Sequence, residues 1–260
     1  MRLLDLFSGL GGFSKGLEAT GLYETVAFCE FNEDRWRILH RHWHNVPILK
    51  DVKDIDRDMV EYIRPEAICG GFPCTELSKA GRAHGVQVGF EGERSSLFFE
   101  IIRIAGLAGD GLQRIILENV TDLLDGPYVD GQPTGEWFGV VLSELAAIGF
   151  DAIWEVIPAY AVGSIQRRER VVIVAYPTGQ RVQGSIQGFG IGETGQRWSG
   201  RQEDLQHLCD HPFERGHSWP EPLLRGVDGW PANWMDRIEA LGNCIHPQVA
   251  RIAGEMSRPI

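Results

Sequence analysis

The sequence predicts an α/β fold, a parallel β-sheet with helices on both faces and a smaller loop-rich unit attached. Three observations lead there. Short apolar runs alternate with amphipathic stretches from residue 1 to about 176. The glycines and lone polar residues gather just after the apolar runs, at Phe7, Cys29, Cys69 and Leu117, where an open α/β sheet holds its ligands. At Pro177 the pattern stops, and residues 177–235 become rich in Gly, Gln, Arg and Trp without clear periodicity.

Taken in order, the expected strands are Arg2–Phe7, Thr25–Cys29, Ala67–Cys69, Arg114–Leu117, Ala152–Ile157 and Arg170–Ala175. Each is a short apolar run rich in branched residues. Between them, Gly12–Ala19, Arg35–His42, Leu97–Gly106 and Phe138–Ile148 carry the helical spacing of apolar residues. Regular pattern returns at Met235–Leu241, and Pro247–Met256 reads as a closing helix with proline in its first turn. The expected division is therefore 1–176 with 236–260 as one unit and 177–235 as a second.

The chain has 260 residues, 43% hydrophobic and 23% charged, enough for one large core. No run approaches the ~18 apolar residues of a membrane span. Asp5 interrupts the start, so no signal peptide is expected. Five scattered cysteines without a CxxC pair signal neither disulfides nor a structural zinc site. A reducing, cytoplasmic setting and no metal are expected. The net charge of −11 argues against polyanion binding by the whole surface. A local basic cleft could still bind nucleic acid.

Four clusters carry chemistry. Asp5–Phe13 reads D-L-F-S-G-L-G-G-F between a strand and a helix, so backbone amides can approach a ligand closely. Ser14 stands where a dinucleotide fingerprint has its third glycine, which suits a cofactor without a pyrophosphate. Glu30, about 20 residues on, ends the next strand where a carboxylate accepts from ribose hydroxyls. Second, Gly70-Gly71-Phe72-Pro73-Cys74 presents a thiol just past a strand. A lone cysteine is more often packed than reactive, and the remaining clusters argue against packing here. Third, Glu118 closes an apolar strand, where burial raises a carboxyl's pKa and lets it hold a proton. Fourth, Gln166, Arg168 and Arg170 fall on one face of an extended segment and could grip phosphate or hold a buried carboxylate.

Together, in this order, these residues resemble the family of DNA cytosine carbon-5 methyltransferases, in particular compact phage or prophage members. The resemblance implies a Rossmann-like S-adenosylmethionine-dependent fold, with 177–235 as a small target-recognition domain. It implies Phe7, Gly9, Gly11, Gly12, Glu30, Asp51, Val52, Pro73, Leu97 and Asn243 as cofactor contacts, with Leu241-Gly242-Asn243 beside the glycine loop. Cys74, Glu118, Arg168 and Arg170 become the catalytic group. Gln166, Arg82 and Arg225 become nucleic-acid contacts, with Arg181, Arg197 and Arg201 as further candidates. The partner implied is double-stranded DNA, bound by a monomer, with the loop Lys79–Gly85 closing over it. In the implied reaction Cys74 adds to carbon-6 of a flipped cytosine, carbon-5 takes the methyl group, and Glu118 hydrogen-bonds or protonates ring nitrogen 3. Thr75 departs from the family's usual glutamine. Two other readings share these residues: a tRNA cytosine methyltransferase and a non-catalytic nucleic-acid binder.

Overall fold

The structure is a computed structural model, and it describes residues 1–73, 90, 96–129, 132–162, 168–183 and 244–260. Its centre is a seven-stranded sheet. β1 (Arg2–Leu6), β2 (Glu24–Cys29), β3 (Ile48–Leu49), β4 (Ala67–Gly71) and β5 (Arg114–Val120) run parallel. β6 (Tyr128–Val129) and β7 (Gln132–Pro133) form a separate small hairpin. β8 (Phe150–Pro158) and β9 (Glu169–Pro177) complete the large sheet in the order β3-β2-β1-β4-β5-β9-β8.

The expectation of a wholly parallel sheet fails at β9, which pairs antiparallel with both β5 and β8. A parallel crossover needs a dozen or more residues, usually including a helix. Residues 159–168 are too few, and Ala159–Val162 forms only a short 3₁₀ turn. The reversal has a functional consequence. It brings the start of β9 to the carboxyl edge of β5, where Arg170 pairs with Val120.

Alternation along the strands builds two cores. Leu4, Ile68, Leu117 and Ile173 face one side with Phe98 and Ile101. Leu3, Cys69, Ile116 and Val172 face the other with Leu17, Val249 and Ile252. The first side is covered by α4 (Leu97–Ala108) and α6 (Glu136–Ala147), and α3 (Arg57–Ile63) packs on α4. The other side is covered by α1 (Gly12–Glu18) and α7 (Pro247–Met256). α2 (Glu33–His42) follows Glu30, capped by Asn32, whose side chain accepts from the Asp34 amide at 2.9 Å. α5 (Asp122–Asp125) is a single turn after β5. α3, β3 and the hairpin went unread because each is too short to show a period.

The α1–α7 contact depends on glycine. A Cβ at Gly16 would lie 2.2 Å from the Pro247 carbonyl oxygen, and one at Gly12 would lie 2.3 Å from that of Ile245. The closing helix therefore seats directly on the helix that follows the glycine loop. Among the described residues no helix is long and apolar enough to cross a membrane.

Candidate active site

The carboxyl ends of β1, β2, β4 and β5 and the start of β9 surround a cavity of about 720 Å³. Along its β1 wall the chain turns sharply, with positive φ at Phe7 (55°), Gly9 (56°) and Gly11 (78°). The strain at Phe7 is held by Ser8. Its backbone amide donates to the Cys29 carbonyl at 3.1 Å, and its hydroxyl donates to the Asp5 carbonyl at 2.6 Å. Asp5 is wholly enclosed and accepts from the Ser14 hydroxyl at 2.6 Å and the Ser14 amide at 3.3 Å. Burial pushes its carboxyl up to about 7 despite those bonds.

Glu30 stands opposite the glycine loop and is 4% exposed. Its Oε2 accepts from the Gly9 amide at 2.7 Å and its Oε1 from the Asn32 amide at 2.8 Å. Arg35 Nη1 also reaches Oε1, at 3.3 Å. Asp51 caps the short 3₁₀ turn Val52–Asp54, accepting from the Lys53 amide at 3.0 Å. That turn is tied to α4 by Arg103, which donates to the carbonyls of Val52 at 3.0 Å and Ile55 at 2.7 Å.

Glu118 forms the far wall. It is enclosed within the last turns of β5 and pairs in register with Gly71. A Cβ at Gly71 would lie 2.8 Å from Glu118 Oε2, so glycine there leaves the carboxyl its place. Arg170 Nε lies 2.8 Å from Oε1, a close ion pair outside good hydrogen-bond alignment, and Arg168 Nη2 lies 4.0 Å away. Burial nevertheless dominates and raises the Glu118 pKa above the ordinary carboxyl value, with the two arginines opposing. Arg168 also donates from Nη1 to the Cys244 carbonyl at 2.6 Å, linking β9 to the segment before α7. Asn119 donates from Nδ2 to the Phe72 carbonyl at 3.2 Å, and its own Oδ1 accepts from the Val120 amide at 2.8 Å. The end of β5 thus fixes the backbone two residues ahead of Cys74.

Of the residues expected at the site, Phe7, Gly9, Glu30, Asp51, Val52, Pro73, Leu97, Glu118, Arg168 and Arg170 line this one cavity. Gly11 and Gly12 do not. Gly11 packs against Trp43 and Leu39, and Gly12 under Cys244 and Ile245, so they shape the loop from behind. Cys74, Arg82, Gln166, Arg197, Arg201, Arg225 and Asn243, with Thr75 and the Lys79–Gly85 loop, lie outside the described residues. Arg181, expected from the sequence among the nucleic-acid contacts, lies away from this cavity. It follows the end of β9 at the opposite edge of the sheet, beside Gln113, Arg114 and Ile260. Sequence reasoning missed Arg35, Lys50, Lys53 and Phe31, all on the cavity wall. Arg35, one helical turn into α2, could have been found from its spacing to Glu30.

The donor set fits an adenosyl group. An enclosed carboxylate faces amide-rich loops, apolar surface comes from Phe7, Val52 and Leu97, and the volume is that of a small-molecule site. The model of the family described as C-5 cytosine-specific DNA methylase matches residues 1–210. The type II methyltransferase M.Sau3AI of Staphylococcus aureus is 32% identical over 185 residues, covering 68% of this chain and 43% of its own. The type II methyltransferase M.Bsp6I of Bacillus sp. (strain RFL6) is 33% identical over 179 residues, covering 68% of this chain and 52% of its own. The chain spans about half the length of these relatives. Among solved structures, the Entamoeba histolytica methyltransferase EhMeth superposes with a TM-score of 0.53 at 15% identity, covering 70% of this chain and 55% of that one. The S. pombe Dnmt2 methyltransferase gives 0.52 at 15% identity, covering 70% and 51%. At these identities the structures speak to the fold, and they share it.

Proposed function

The chain belongs to the C-5 cytosine-specific DNA methylases, and on that premise we propose that it methylates carbon-5 of a cytosine flipped out of duplex DNA, through a transient bond to Cys74. One observation carries the reading. A buried carboxyl with a raised pKa, Glu118, shares one cavity with the ribose-type acceptor Glu30 and with Pro73, the residue before the thiol.

The residues divide the work. Cys74 adds to carbon-6 and makes carbon-5 enamine-like, which splits one difficult step into easier ones. Glu118, whose pKa burial raises, donates to ring nitrogen 3 as the adduct forms. Arg170 fixes the Glu118 carboxyl, and Asn119 fixes the Phe72 carbonyl and hence the approach to Cys74. Glu30, Asp51 and the glycine loop would hold S-adenosylmethionine, which would supply an electrophilic methyl group. Residues 177–235 would read the target sequence.

The test uses duplex DNA carrying 5-fluorocytosine, whose fluorine blocks the final elimination and leaves the adduct in place. With cofactor present, the parent protein should form a denaturation-resistant DNA adduct, and Cys74→Ala should form none while still binding cofactor. Labelled methyl transfer by Cys74→Ala would overturn the covalent mechanism. Transfer to tRNA but not to duplex DNA would overturn the substrate.

A further inference from the structure

One stretch of the cavity wall is weakly built on its own. Asp51, Val52 and Lys53 line the cavity, and they belong to the short 3₁₀ turn Val52–Asp54 and its cap. Two backbone hydrogen bonds hold that turn. The Asp54 amide donates to the Asp51 carbonyl at 3.1 Å, and the Ile55 amide donates to the Val52 carbonyl at 3.4 Å. The second is long, and 3₁₀ bonds are poorly aligned in any case. The strand before the turn, β3, has only two residues.

Arg103, on α4, clamps this turn from outside. Its Nη1 donates to the Ile55 carbonyl at 2.7 Å and its Nη2 to the Val52 carbonyl at 3.0 Å. Its Nε donates to Glu100 Oε2 at 2.7 Å, three residues back on the same helix, which aims the planar fork. One guanidinium thus grips both ends of the turn with charge-assisted bonds. Arg103 is not among the residues that line the cavity, whereas Leu97, the first residue of its helix, is. Val52 and Leu97 bring apolar surface to the cavity from the two elements that Arg103 joins. The clamp therefore sets their separation.

We propose that Arg103 is a positioning residue for the cofactor: it fastens the turn at 51–55 to α4 and so holds Val52 and Leu97 at the spacing that admits the flat base of an adenosyl group. This rests on the reading of the cavity as an adenosyl site. Glu30 follows β2 and Glu118 lies in β5, outside the clamp's reach. Arg103 therefore acts on cofactor affinity more than on methyl transfer.

Calorimetric titration of the unmodified protein and Arg103→Met with S-adenosylhomocysteine, and with 5′-methylthioadenosine, which lacks the amino-acid tail, tests this without any turnover. Arg103→Met keeps the stem and removes every donor. It should weaken both ligands by the same factor, about 5- to 30-fold, below the full range for charged hydrogen bonds because Arg103 is partly open to solvent. Single-turnover methylation at saturating cofactor should fall by a smaller factor than affinity does. Arg103→Lys, which restores the charge but reaches the carbonyls without a fork, should recover part of the affinity, and it carries the same comparisons if the methionine variant does not fold. Affinity within twofold of the parent in Arg103→Met would overturn the proposal. A saturated rate that falls as much as affinity would overturn it too, since Arg103 would then support the fold rather than the cofactor wall. So would a loss seen with S-adenosylhomocysteine but not with 5′-methylthioadenosine, which would place the effect at the tail. Failure of the unmodified protein to bind either ligand would overturn the adenosyl reading itself, and this one with it.

Discussion

Gly71→Ala adds one methyl group at the point where β4 faces the Glu118 carboxyl. The added Cβ would stand 2.8 Å from Glu118 Oε2. Carbon and oxygen settle about 0.5 Å further apart in ordinary contact. Glu118 is the end of a side chain, so it can move, but it is enclosed and held beside Arg170 at 2.8 Å. The expected result is a carboxyl displaced by about half an ångström with the strand intact. A misplacement of about 1 Å can cost about 100-fold in rate, so roughly tenfold is expected here. Folding stability should stay within about 1 kcal/mol, because alanine suits an extended strand and lowers the entropy of the unfolded chain. Cofactor affinity should not change, since Glu30 lies on another strand. Single-turnover methylation with saturating cofactor, beside thermal unfolding and a cofactor titration, separates these effects. A single-turnover rate within twofold of the parent would refute the claim that the reaction depends on where Glu118 sits.

Glu118→Gln keeps an N–H donor but cannot pass a proton, so the single-turnover rate should fall about 10²- to 10⁴-fold. Its alkaline limb should disappear from the pH–rate profile, because the raised pKa belongs to the removed group; an unchanged profile would remove Glu118 from the acid role. Asp5 carries a folded pKa of about 7 against an ordinary 3.8. Its contribution to stability is therefore fully present below about pH 4 and lost as pH rises toward 7. Asp5→Asn should flatten the unfolding free energy across that window by up to about 1.4 kcal/mol per pH unit, and denaturant melts between pH 4 and 7 will show whether the slope changes. Gly16→Ala sets a Cβ 2.2 Å from a backbone oxygen that cannot step aside. It should destabilise the protein by about 2–3 kcal/mol through the α1–α7 contact, and an unchanged melting temperature would show that the helices can part freely.

In the parallel half of the sheet, β1, β2, β4 and β5 were legible because each is a buried apolar run with an expected site residue at or just after its end. Glu30 and Glu118 could be placed this way, since an acid after an apolar run is costly to bury without a role. β9 was placed as a strand, yet its direction was not readable. Direction depends on the length and content of the connection, and residues 159–168 carry no helical period to judge by. The same reversal decides where Arg181 lies. In a parallel strand the residues following its end would reach the cavity, whereas the reversed β9 delivers them to the opposite edge. Gly11 and Gly12 were read as ligand contacts because a sequence cannot show which glycine faces the ligand and which faces a helix. Arg35 escaped notice because arginine on the first turns of a helix is usually solvated.

The net charge of −11 spoke against a polyanionic partner, and the cavity answers that objection by local arrangement. Arg35, Lys50, Lys53, Arg168 and Arg170 line its wall, against three carboxylates, Glu30, Asp51 and Glu118. Two of these carboxylates are already close to guanidinium groups, Glu30 to Arg35 and Glu118 to Arg170. Burial also disfavours the charged form of Glu118. The wall that would meet a phosphate-bearing partner is therefore locally positive within an acidic molecule. Over distances beyond the ~8 Å screening length of physiological salt, the remote acids act weakly on a ligand seated there. Whole-chain charge is thus a poor guide to this site, because the groups that decide its sign come from β2, α2, the turn after β3, β5 and β9, and only folding brings them to one edge of the sheet.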